Sequence, residues 1–274
     1  MFKMNKFYIQ IAFFLLIIFV YVDNKTLAAD PDLNPDLDSE VKRPKPRRFY
    51  LTAEQIFGTN VHLLCTDREE TQNARKLMDV AVAHLKQYAI DEKGYKYKGD
   101  YPDYNMFYYK KRYNNNVTVY KIKYTVDLDK YESTIHELWD PDVVDFFDIN
   151  NIKKKFVRVY SMNLVMMQQR YKTWKEGHHK YFYALATKAH ISKDETIIAM
   201  TSANIIDHHP SDKEYKNKIV KKANLFTTEI DSEDDIRNGK LEKAYVHLAG
   251  YYIQRHNDHV DVTFIASIDG RSFC

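Results

Sequence analysis

Two short stretches hold the side chains with most to offer a ligand. In "HELWDPD", Trp139 brings an indole N–H and a flat apolar ring, and Asp140 a carboxylate. In "LVMMQQRY", Arg170 brings a guanidinium into an otherwise strand-like run. Trp139 and Asp140 have two readings: a core tryptophan followed by a helix-capping aspartate, or a pair at the mouth of a cavity. Arg170 also has two. Facing solvent it is an ordinary surface arginine. Buried in a sheet it needs a carboxylate or a phosphate.

Other clusters carry less chemistry. The histidine pairs at 178–179 and 208–209 put adjacent side chains on opposite sides of a turn, with no cysteine or carboxylate at ligand spacing, so no metal is expected there. "DSEDDIRNGKLE" has acids at Asp231, Glu233, Asp235 and Glu242, but its sixth position, where a calcium loop needs glycine, is Ile236. A solvated acidic loop is the expectation. Lys153, Lys154, Lys155 and Arg158 read as a solvated basic turn. No nucleophile elbow, phosphate loop or metal-ligand spacing occurs, so neither an enzyme nor a cofactor is expected.

The elements that must position these residues are legible from periodicity. The chain has 274 residues, 45% hydrophobic and 29% charged, enough for a sizeable core. A net charge of +3 is too small to argue for nucleic acid. With 22 tyrosines and only 7 glycines, the composition favours aromatic strands over glycine-rich phosphate loops. Cys65 and Cys274 make no disulfide framework, and free thiols are expected.

"TDREETQNARKLMDVAVAHLKQY" reads as a helix, with Thr66 and Glu69 as a capping box and Ala74, Leu77, Met78, Ala81, Val82 and Leu85 on one face. Three alternating strands follow. The Tyr131–Trp139 helix comes next, then a second short helix through Val144 and Phe147, and then about six strands. Ser211 and Glu214 predict a further short helix over "YKNKIVKKA". Helices on one side of an antiparallel sheet make an α+β fold, and a long sheet curled round a helix would enclose an apolar cavity.

The N-terminus predicts a secretory signal. Lys3 and Lys6 precede the apolar run "IQIAFFLLIIFVYV", and small residues follow at Ala28 and Ala29. The expected organisation is a signal peptide over 1–29, a disordered linker over 30–59, and a folded domain over 60–274. Asn116 begins a glycosylation sequon.

The motifs in series, "LWDPD", "RVYSMNLVMMQQRY", "KYFYALATKA", "AMTSANIIDHHPSDKEYKN", "EIDSEDDIRNGKLEKAYVHLAGYYI" and "ASIDG", resemble the fam-a proteins. These are exported proteins of malaria parasites with a START-type (StAR-related) lipid-transfer domain. The resemblance covers roughly Asn60 to Cys274. It implies a helix-grip fold, in which a curved antiparallel sheet surrounds a hydrophobic tunnel holding one phospholipid, phosphatidylcholine first. It also implies transient contact with membranes, a host-cell partner, and secretion with export into the host cell or the parasitophorous vacuole. "KTLAAD" is similar to the parasite export signal, with Lys25 in place of arginine and the acid one position late. Aligned on the family, His136 occupies the position of a phosphate-binding arginine one turn before Trp139, Asp140 keeps the acid, and Arg170 matches a cavity arginine. The implied lipid-binding set is therefore His136, Trp139, Asp140 and Arg170. The family's cavity carboxylate has no counterpart near Val159 and Tyr160, and a lipid phosphate is the expected substitute. START domains end in a long helix over the tunnel, which four residues after Gly270 cannot make, so that helix is expected to be missing. The alternative expectation is an exported interaction or surface protein that keeps the sheet without a working cavity.

Overall fold

The structure, a computed structural model, describes residues 51–113, 117–143, 152–172 and 179–269. The chain divides into two units, Met1–Arg47 and Arg48–Cys274, and all described residues belong to the second. The signal segment, the export-like motif, Asn116, the short helix through Val144 and Phe147, and Cys274 lie outside the described residues.

The fold begins with helices α1 (Ala53–Asn60) and α2 (Arg68–Ile90), then strands β1 (Lys96–Tyr101), β2 (Met106–Tyr113) and β3 (Val117–Asp127). Helix α3 (Tyr131–Trp139) separates these from β4 (Lys153–Ser161), β5 (Leu164–Lys172), β6 (His179–Ser192) and β7 (Glu195–Thr201). Two short strands, β8 (Asn204–Ile206) and β9 (Thr227–Glu229), pair parallel as a separate sheet. A single-turn helix α4 (Asp234–Arg237) leads through β10 (Glu242–Lys243) to the long hairpin of β11 (Tyr245–Arg255) and β12 (His259–Asp269). The main sheet runs β1-β2-β3-β12-β11-β7-β6-β5-β4, all antiparallel, with β10 added parallel to β6. The last strand thus returns beside the third, Phe264 opposite Ile122. The expected α+β architecture is the observed one.

Helix α2 forms where its apolar periodicity predicts, but its cap differs. Asp67, not Thr66, is the N-cap, accepting from the N–H groups of Glu69 and Glu70 at 2.8 and 3.0 Å. A carboxylate satisfies two orphan donors and complements the helix dipole better than a hydroxyl does. At the other end the buried Lys121 ammonium donates to the carbonyls of Ala89 and Asp91. Burial pushes its pKa down to about 8. Ala74, Leu77, Met78, Ala81 and Leu85 are at most 1% exposed against the sheet. Gly250 allows this approach. Its φ is +142°, and a Cβ there would lie 1.9 Å from the Ile198 carbonyl oxygen and 2.8 Å from Leu85 Cδ1.

Four sequence readings are corrected. The linker expected over 30–59 contains α1, closed by a Thr52–Gln55 capping box with Ala53 and Ile56 buried. Of the helix expected after Ser211 only its end is helical, as a 3-10 turn over Lys221–Leu225, and residues 215–220 are not helical. There the buried Asn217 accepts from the N–H groups of Ile219 and Val220 and donates to Thr201 Oγ1 and two backbone carbonyls. Such side-chain bonds compete with helix formation. The "solvated" acidic loop is docked, because Ile236 is fully buried. The basic residues 153–155 lie in β4, not in a turn, and Arg158 pairs with Glu70 at 2.7 Å.

Candidate functional site

Alternation along the strands divides the interior into two apolar layers, one on each face of the sheet. One contains α2 with Leu164 and Met166 of β5, Tyr181, Tyr183 and Leu185 of β6, and Ile197 and Ala199 of β7. The other contains Ile56 of α1 and Tyr131, Ile135 and Trp139 of α3, with Val165, Met167 and Tyr171 of β5 and Phe182, Ala184 and Ala186 of β6.

Three of the four expected site residues belong to α3 and its C-terminus. Tyr131, Ile135 and Trp139 recur every four residues and point the helix's apolar face at the sheet. Trp139 packs on Phe156 with ring centroids 6.0 Å apart. It is 4% exposed, and among the described residues its indole N–H has no hydrogen-bond partner. Leaving a buried donor unpaired costs about 1–3 kcal/mol, so it asks for an explanation. Asp140 is buried and accepts from the Asp142 N–H at 2.9 Å, closing the turn at 141–143; the helix it is expected to cap lies outside the described residues. His136 is half-buried one turn before Trp139, and its carbonyl accepts the Asp140 N–H at 3.0 Å.

Sequence reasoning missed Lys188. Its Nζ lies 5.8 Å from the centre of the Trp139 ring, and the residue is 6% exposed. Among the described residues it forms no ion pair. It feels only the longer-range charges of Glu54 and Glu132, and burial pushes its ammonium pKa down. His190 is two residues further on the same face. Its pKa is lowered by burial, with Lys188 adding to the effect, and its Nδ1 contacts Thr196 Oγ1 at 3.0 Å. The signal was present in "FYALATKAH": Phe182, Ala184 and Ala186 form an apolar period-two series in which Lys188 is the next member.

The structure does not bring Arg170 to this group. Arg170 shares the parity of Met166 and Gln168, which puts it on the α2 face, whereas Trp139 packs with the odd residues of β5. Its guanidinium is already met. Nη1 and Nη2 bond the two oxygens of Asp235 at 2.5 and 3.0 Å, Nη2 reaches Glu233 at 2.9 Å, and Nε donates to Gln168 at 2.8 Å. The missing carboxylate partner is thus supplied by the α4 loop, far in sequence from Val159 and Tyr160, and no lipid phosphate is needed to balance this charge. Glu233 is held at a pKa of about 2: burial acts to raise it, and hydrogen bonds from Lys155 and Gln168 overcome that.

Two open clefts are lined by charged residues. One of about 610 Å³ is lined by Lys153, Lys155, Gln168, Arg170, Glu233 and Asp235. Another of about 360 Å³ lies among His179, His209, Lys213, Tyr215 and Glu242. Neither is an apolar tunnel.

No protein-family model matches the chain, and no curated protein matches it in sequence. Solved structures do match in fold. Human StAR-related lipid transfer protein 5 superposes with a TM-score of 0.53 at 11% identity, over 75% of this chain and 86% of that one. Human STARD10 gives 0.47 at 13% identity, over 70% and 67% of the two chains. The lipid transfer and protein localization domain of human StarD13 (DLC2) gives 0.39 at 15%, over 70% and 83%. The fold is therefore START-like: a large antiparallel sheet with a long helix ahead of it.

Proposed function

We propose that this protein binds a phospholipid against the α3 face of its sheet and carries it between membranes without chemistry. The observation that supports this reading best is the buried Trp139 N–H, which has no hydrogen-bond partner among the described residues, with the Lys188 ammonium 5.8 Å from its ring, on an apolar face of a START-like fold. An apolar wall with a few convergent polar groups is what a lipid-sized ligand needs. Lys188 and Trp139 would meet an anionic phosphate oxygen, with His136 at the same end of α3 and Asp140 holding the turn that follows. Phosphatidylcholine is the cargo the fam-a resemblance implies. Secretion, and export towards a host cell, follow from the N-terminal signal and that same resemblance.

A second reading, an interaction protein on a START-like scaffold, is favoured by the charged residues that line the two open clefts. Mass spectrometry of the purified chain after incubation with phosphatidylcholine vesicles separates the two. Lipid carriage predicts one phospholipid per chain. A chain that emerges lipid-free supports the scaffold reading instead.

A further inference from the structure

At the far end of the β11–β12 hairpin three metal-ligand side chains converge on one face. The turn is closed by the His256 N–H donating to the His259 carbonyl at 2.9 Å. His256 and His259 therefore flank the two-residue loop Asn257-Asp258 as a cross-strand pair. Asp261 lies two residues beyond His259 and so shares its face. The rings of His256 and His259 stack with centroids 4.8 Å apart. Both Nε2 atoms are directed at Asp261, His256 to Oδ2 at 3.2 Å and His259 to Oδ1 at 3.3 Å. All three ligand atoms lie within 4.8 Å of one another.

The geometry points to a divalent metal site of the zinc class, with His256, His259 and Asp261 as its ligands. Metal–ligand bonds of about 2.0–2.1 Å in a tetrahedron put ligand atoms about 3.3–3.4 Å apart; the two imidazoles approach that spacing to different oxygens of Asp261, so side-chain rotation within the cluster would bring one atom of each residue onto a single ion. A carboxylate stands behind one imidazole: Asp258 Oδ1 is 2.6 Å from His259 Nδ1. That contact fixes the ring and leaves Nε2 free for the metal. Asp127, opposite His259 on β3, is already paired with Lys130 and is not counted as a ligand. Two imidazoles and one carboxylate suit zinc, copper or nickel, whereas calcium and magnesium prefer all-oxygen shells. Three protein ligands leave a fourth position open to solvent. The bound ion would clamp the last rung of the sheet's central hairpin.

The test uses the tag-free full chain freed of metal by chelation. Calorimetric titration with Zn²⁺ should show one saturable site. His256→Ala and His259→Ala should each weaken it at least tenfold, while His208→Ala leaves it unchanged. Zinc should raise the melting temperature of the unaltered chain and of His208→Ala, and not that of the other two. Co²⁺ should give the absorption bands of a four-coordinate ion on the unaltered chain, a readout that needs no variant to fold. Absence of saturable Zn²⁺ binding, equal affinity in His259→Ala, or tighter binding of Ca²⁺ than Zn²⁺ would overturn the assignment.

Discussion

The two faces of the sheet treat polar groups in opposite ways. On the α2 face the charges are met: Arg170 by Asp235 and Glu233, Arg158 by Glu70, Gln168 by Tyr183 and Glu233. On the α3 face, among the described residues, the Trp139 N–H has no hydrogen-bond partner and Lys188 lies over the Trp139 ring without an ion pair. A satisfied network specifies structure, since removing one member strands the others. An unsatisfied donor on an apolar wall costs stability in the free protein and is better accounted for by a ligand that completes it. The arginine singled out from sequence is therefore architectural, and the lysine not singled out is the better candidate for ligand contact.

The largest expected effect comes from breaking the closed face at its tightest point. Gly250→Ala combines a backbone angle unfavourable for any side chain with a clash against the Ile198 carbonyl. It should cost about 3–5 kcal/mol in urea unfolding. A cost under about 1 kcal/mol would mean that α2 and β11 are not packed as described.

Arg170→Ala comes next. It strands Glu233 and Asp235 and should cost about 1.5–3 kcal/mol, while lipid capture per folded molecule stays unchanged. Lost capture with intact stability would return Arg170 to the binding site.

The same network sets an acid limb. Glu233 has a folded pKa of about 2 against 4.5 when unperturbed, and Asp235 is lowered by its hydrogen bond from Arg170. Depressed carboxylates contribute stability that is complete above the unfolded pKa and lost as pH falls through the folded one. Unfolding free energy measured between pH 5 and pH 2 should therefore fall more steeply in the native chain than in Glu233→Gln. Parallel curves would remove Glu233 from the network.

Much of this was legible in the sequence. Strands β1–β7 and the β11–β12 hairpin followed from alternation, and α2 from its apolar stripe. What alternation cannot say is which face of a strand receives which helix. It gave Arg170 the parity of Gln168, but not that the acidic loop some 65 residues later would dock over both. Asn217 defeated a helix through bonds to Thr201 and His247, partners with no local signature. Ile236, which stands where a calcium loop needs glycine, is there because it anchors the loop in the core. Helix α1 was hidden in a stretch read as a tail, although Thr52 and Gln55 spell its cap. His256, His259 and Asp261 lie within six residues, but only the hairpin turn brings their side chains onto one face.

The most direct test of the account is phosphatidylcholine capture by the unaltered chain and by Lys188→Met. Losing a charged hydrogen bond to a phosphate is worth about 1.5–3 kcal/mol, so the variant should bind roughly ten- to a hundredfold more weakly. Its urea midpoint should hold or rise, since a lysine that is largely buried and has no ion pair among the described residues has been replaced by an apolar side chain. Equal capture by both proteins, or a variant that loses stability in step with binding, would contradict the assignment of the α3 face as the lipid site.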